Sequence, residues 1–145
     1  MSSVFTKIIA GEIPGKFVWA DEDVVVMATI EPARPGHVMV VPREEVAKFN
    51  DVEPRVFAHA MNVAQIIATA QERAFDVERS VVTILGFEVP HTHIHVIPAD
   101  AESAANLHEV GPAPASEITQ AMMTLRNSLV DLGYGDHIPE YMDSL

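Results

Sequence analysis

A chain of 145 residues, 48% hydrophobic and 21% charged, has the composition of a folded globular protein and the length to bury a core, which excludes disorder. A net charge of −12 excludes binding to nucleic acid through a broad basic face, and it requires any polyanionic ligand to be met by local donors. Cysteine is absent, which removes disulfides and thiolate metal sites.

No run approaches the ~18 apolar residues of a membrane helix. Met1-Ser2-Ser3-Val4-Phe5 lacks the basic and apolar regions of a signal peptide. The expectation is a cytoplasmic protein without a membrane partner.

In chain order, Phe17 to Ala20 reads as a short strand before the acidic turn Asp21-Glu22-Asp23. Val24 to Ile30 and Val38 to Val41 are β-branched strands. Two prolines and a glycine in Glu31-Pro32-Ala33-Arg34-Pro35-Gly36 join them as a hairpin. Asp51 is placed to cap a helix running to about Phe75, whose apolar residues Val56, Ala60, Val63, Ile67, Ala70 and Ala74 follow the 3.6-residue period.

Ser80 to Leu85 reads as a strand, Gly86 to Pro90 breaks it, and a histidine-rich strand follows and pairs with it antiparallel. Asp100 to Pro114 has no period and reads as a loop with one short turn. Ser116 reads as the N-cap of a second helix to Leu132, with Ile118, Ala121, Met122, Leu125, Leu129 and Leu132 as its buried stripe and Gly133 as its stop. The tail from Tyr134 is either free or packed on a neighbour. These elements predict one α+β domain over residues 1–145, with a mainly antiparallel sheet of about five strands and two main helices.

Three of the seven histidines alternate in His91-Thr92-His93-Ile94-His95-Val96-Ile97-Pro98. In a strand their imidazoles share one face, roughly 6 to 7 Å apart along it, while Thr92, Ile94 and Val96 face the other way. A metal site is one reading, but one ion about 2 Å from each ring nitrogen would have to bend the strand. His59, His108 and His137 stand apart at no ligand spacing, so no metal is expected. A polar edge strand is the bland reading, disfavoured by strict alternation between Pro90 and Pro98. A neutral imidazole anchored through one nitrogen and attacking phosphorus with the other fits best.

His91-Thr92-His93-Ile94-His95-Val96-Ile97 resembles the His-φ-His-φ-His-φ-φ signature of the histidine triad (HIT) nucleotide-binding proteins, with Thr92 in place of an apolar residue. Phe5-Thr6-Lys7-Ile8-Ile9, Glu12-Ile13-Pro14 and Lys16 are similar to the N-terminal strand region of Hint- and Fhit-type members. Pro35-Gly36-His37-Val38-Met39-Val40-Val41-Pro42 is similar to their second signature.

The resemblance implies a HIT-like fold over a core of about residues 4–100 and a homodimer joined through a continuous sheet. It implies hydrolysis or transfer at the α-phosphate of a purine nucleotide conjugate, a nucleoside phosphoramidate or dinucleoside polyphosphate, with no cofactor. By position, His93 would form the covalent nucleotidyl intermediate. His95 would contact the α-phosphate and help the leaving group, and His91 and His37 would orient the imidazoles. Phe5, Ile8, Met27 and Ile30 would form the slot for the base, though core packing suits them nearly as well.

Two further positions depart from the family pattern. Thr29 stands where Hint-like members hold the ribose hydroxyls with an aspartate. Glu88 stands where a serine or threonine often assists the leaving group. Two other readings stay open: a nucleotide-binding regulatory protein with little turnover, and a zinc-binding adaptor.

Overall fold

A computed structural model describes residues 1–145. The chain runs α1 (Val4–Ile9), β1 (Phe17–Ala20), β2 (Val24–Ala28), β3 (Val38–Pro42), α2 (Pro54–Phe75), β4 (Arg79–Thr83), β5 (Ile94–Ala99) and α3 (Ala115–Asp131), with short 3-10 turns between. All five strands form one antiparallel sheet of order β1-β2-β3-β5-β4. This is the expected α+β architecture. No helix is long and apolar enough to cross a membrane.

The two-residue period of the strands divides the molecule. Val24, Val26, Val38, Val40, Ile94 and Val96 face α2 and α3 and join Ala60, Val63, Ile67, Leu125 and Leu129 in the main core. Val25, Met27, Met39 and Val41 face the other way, under Phe5 of α1. The β3–β5 register sets Met39 opposite His95, which puts His95 on this second face.

Several places differ from expectation. The segment Phe5 to Ile9, which the resemblance places in an N-terminal strand region, lies in a helix: Ser3 caps it by accepting from the Thr6 N–H, and Phe5 is buried against the sheet. Asp51 ends a separate 3-10 turn, and α2 starts with Pro54 at its first turn and no side-chain cap. β2 stops at Ala28 rather than Ile30, β4 at Thr83 rather than Leu85, and α3 opens at Ala115. The segment from Asp100 to Pro114 holds two 3-10 turns rather than one.

The tail packs on its own chain. The Phe17 N–H donates to the Met142 carbonyl at 2.7 Å, Arg126 binds the Phe17 and Pro139 carbonyls, and His137 stacks on Trp19 with centroids 4.6 Å apart.

Gln71 is the polar residue that the periodic reading passes over. It is fully buried on the apolar stripe of α2, donates to the carbonyls of Gly36 (3.0 Å) and Val96 (2.9 Å), and accepts from Ser80 at 2.6 Å. A glutamine between Ile67 and Ala74 on a buried stripe signals such a role, because a buried amide must be satisfied. The two carbonyls it holds adjoin His37 and His95. Gly36 has φ +93°, and a Cβ there would lie 2.3 Å from the Phe75 ring, so the turn delivering His37 requires glycine.

Candidate active site

The strand carrying the triad begins at Ile94, so only His95 lies within it; His91 sits in a bend and His93 in the irregular segment that leads in. The side chains still alternate as the sequence implies. Ile94 and Val96 enter the main core, and the Thr92 hydroxyl donates to the Val46 carbonyl. The His93 and His95 ring centroids are 5.0 Å apart, closer than a flat strand would place them. His37, 58 residues before His95 in sequence, reaches it at 2.9 Å.

The hydrogen bonds of these rings fix every proton. The His91 carbonyl can only accept, so His93 Nδ1, 2.7 Å away, carries hydrogen and its Nε2 keeps a free lone pair. The Pro42 carbonyl likewise requires hydrogen on His91 Nε2 at 2.7 Å, leaving His91 Nδ1 to accept from the Ser3 hydroxyl at 2.7 Å. His37 Nδ1 accepts from the Ala33 N–H at 2.9 Å, so its Nε2–H donates to His95 Nδ1. The neutral His95 ring therefore carries its hydrogen on Nε2. The site presents one imidazole with a bare nitrogen beside one with a donor.

Burial favours the neutral form of His37, His93 and His95. Burial and the neighbouring His95 push His37 down to about 3. Burial and the charge of His93 push His95 down to about 4. Burial also lowers His93, against the hydrogen bond to the His91 carbonyl and the carboxylate of Glu88, which favour its protonated form. Phe5 packs edge-on to His93 with centroids 4.7 Å apart and supplies part of that desolvation.

The residues expected to bind substrate are not brought to one surface. Phe5 lies against His93. Met27 is 1% exposed, so it is core beneath the site and offers a ligand no wall, because α1 closes over it. Ile8, Thr29 and Ile30 line a cavity of about 500 Å3, together with Lys16, Ile118 and the tail residue Asp143. Glu88 does not line it. This residue is exposed in the connection before the triad, close enough to His93 for its charge to act there.

His59 does not stand apart, as its sequence position suggests. It contacts Asp21 at 2.7 Å, and with Asp23 these three place ligand-type atoms within 4.8 Å of one another. Their bonds are already used. Burial raises the Asp21 carboxyl, but hydrogen bonds from Trp19, His59 and two backbone amides hold it at about 2, and Asp23 pairs with Arg55.

Residues 10–102 match the family model for the HIT domain. An uncharacterized HIT-like protein of Methanocaldococcus jannaschii is 32% identical over 99 residues, covering 66% of this chain and 77% of its own. The purine nucleoside phosphoramidase of Escherichia coli is 31% identical over 101 residues, covering 66% of this chain and 85% of its own. The crystal structure of a Hit-like protein involved in cell-cycle regulation from Bartonella henselae superposes with a TM-score of 0.76 at 26% identity, over 88% of this chain and 96% of that one. With the alternating histidines, the fold and the matched region in agreement, this chain belongs to the histidine triad family.

Proposed function

We propose that the protein is a nucleotide hydrolase or transferase acting at the α-phosphate of purine nucleoside phosphoramidates or dinucleoside polyphosphates. The observation that carries this reading is the bare Nε2 of His93 next to the Nε2–H of His95, both neutral and both fixed by their partners. His93 Nε2 attacks the α-phosphorus, and the bond from phosphorus to the leaving nitrogen or oxygen breaks. The His95 Nε2–H donates a hydrogen bond to the leaving atom, which takes its proton from a water molecule and leaves hydroxide. A second water then attacks the nucleotidyl-histidine, frees the nucleoside monophosphate and gives its proton to that hydroxide, so hydrolysis balances. Two steps divide one difficult displacement into two easier ones. The phosphoramidase relative supports the substrate class. Release of AMP from adenosine phosphoramidate or a diadenosine polyphosphate tests it, and a pure protein that releases none is a binding protein.

One observation favours slow turnover, the regulatory reading: Glu88 places an exposed carboxylate near His93. Two unit charges 4 Å apart in water interact by about 1 kcal/mol, or roughly fivefold in rate. Glu88→Ser is therefore expected to raise kcat/KM about fivefold, mainly through kcat. Thr29→Asp, which supplies a double acceptor for a diol, is expected to lower KM for ribonucleotides and leave deoxyribonucleotides unchanged. Steady-state kinetics on both sugar series check the pair. A slower serine variant would make Glu88 a catalytic acid.

The partner we propose is a second copy joined along β4. That strand is one of the two edges of the sheet, the other being β1, which the tail partly covers through Met142; its outer backbone groups have no partner strand, and Val82 on it is 43% exposed. Light scattering is expected to give about twice the 15.8 kDa chain mass. A Val82→Lys variant is expected to run as a monomer. A monomeric wild-type protein would defeat the pairing.

A further inference from the structure

Behind the triad lies a group of polar side chains that the sequence reading did not single out. Ser3 is 7% exposed, and its hydroxyl is 2.7 Å from His91 Nδ1. His91 Nε2–H is committed to the Pro42 carbonyl, so the Ser3 O–H is the donor of this pair, and at 2.7 Å the ring nitrogen is a nearer acceptor than the Thr6 hydroxyl at 3.3 Å. The same oxygen accepts from the Thr6 N–H at 3.1 Å. The backbone N–H of Ser3 donates to Glu45 Oε1 at 2.6 Å, and the Thr6 hydroxyl donates to the same oxygen at 2.8 Å. Those bonds hold the Glu45 carboxyl below the usual carboxylate range.

We infer that Ser3 and Glu45 are positioning residues for the His93 nucleophile, acting through the ring and carbonyl of His91; the inference rests on the proposed nucleotidyl transfer. The fully buried His91 ring is clamped between two segments. Pro42, at the end of β3, holds one nitrogen. Ser3, at the start of α1, holds the other, and Glu45 ties α1 back to the chain three residues beyond Pro42. A ring fixed at both nitrogens fixes its own backbone, and the carbonyl of that residue sets both the tautomer and the aim of His93. The same helix carries Phe5 against the His93 ring and Ile8 on the cavity wall. Seating α1 thus sets the nucleophile and one side of the substrate slot together. Neither Ser3 nor Glu45 touches the reacting atoms.

A capping role alone would make Ser3→Ala less stable and leave the chemistry intact. Positioning predicts otherwise, because sub-ångström misplacement of a reacting group costs rate. With the full chain and adenosine phosphoramidate, Ser3→Ala is expected to lower kcat about tenfold or more with KM within about twofold, and Ser3→Thr to restore kcat to within about threefold. Glu45→Gln is expected to fall between. Nitrogen-15 imidazole spectra give a readout apart from turnover: the wild type shows His91 with an accepting Nδ1, and Ser3→Ala shifts the His93 signals although residue 3 does not contact that ring. A kcat for Ser3→Ala within about twofold of wild type overturns the inference. So does a wild-type His91 protonated on Nδ1. A wild type inactive on every conjugate defeats the proposed reaction instead, and then unmoved His93 signals in Ser3→Ala overturn the positioning role.

Discussion

His93→Ala is expected to lower turnover of an adenosine phosphoramidate by at least about 10^3-fold, as loss of a nucleophile does elsewhere, while the fold survives. The ring is the only group at the site with an unprotonated nitrogen that is not already accepting a hydrogen bond: His91 Nδ1 takes the Ser3 proton, His95 Nδ1 takes that of His37, and His37 Nδ1 takes that of Ala33. Alanine keeps the segment and leaves a cavity at a position 7% exposed, so unfolding by urea should show only a modest loss. Protein quenched during turnover and digested should carry a nucleotidyl adduct on the peptide containing His93. An adduct on another residue, or an active alanine variant, would remove His93 from its role.

The second large effect is on stability in acid. An unfolded histidine titrates near 6.5, whereas burial holds His95 at about 4 and His37 at about 3 in the fold, and lowers His93 as well. Between those limits the unfolded chain binds more protons than the native one, so unfolding free energy rises with pH there. The contribution of these rings is complete above about pH 6.5 and is lost as pH falls toward 4. One pKa unit is worth about 1.4 kcal/mol, so His95 alone withdraws on the order of 3 kcal/mol by the acid end of the window. That is a large part of the stability of a typical domain. Asp21, held at about 2, adds its loss only below the usual carboxylate range. Urea unfolding at steps from pH 7 to 4.5 should show a steady fall, and a His37→Gln/His95→Gln variant a shallower one. A flat profile would mean that the rings are solvated in the native state. Turnover should begin to fall at a lower pH than it would with an exposed imidazole, because burial favours the neutral form of His93.

Much of this protein is legible in its sequence, for reasons that are local. The valine runs of β2 and β3, the turn prolines between them and the 3.6-residue stripes of α2 and α3 state their structure, because burial of a periodic apolar face determines it. The alternation of His91, His93 and His95, with Pro35-Gly36-His37, was enough to name the family and to place four histidines in one site. Where the resemblance and packing disagreed, packing prevailed: the segment Phe5 to Ile9 became a helix because Ser3 caps it and Phe5 buries against the sheet.

What the sequence by itself determined is therefore the order of the five strands and two main helices, the antiparallel sheet and the triad. Only the tertiary structure decided which nitrogen of His91 and of His95 carries hydrogen, since the Pro42 carbonyl, the Ser3 hydroxyl and the His37 ring reach them from distant segments. It also decided that Gln71 braces the turn before His37 and the strand after His95, that Met27 is core, and that the tail brings Asp143 to the cavity of Thr29. A sequence pattern records periods along the chain. Hydrogen-bond partners and buried charges depend on distances between segments up to 88 residues apart, and these exist only after the chain has folded.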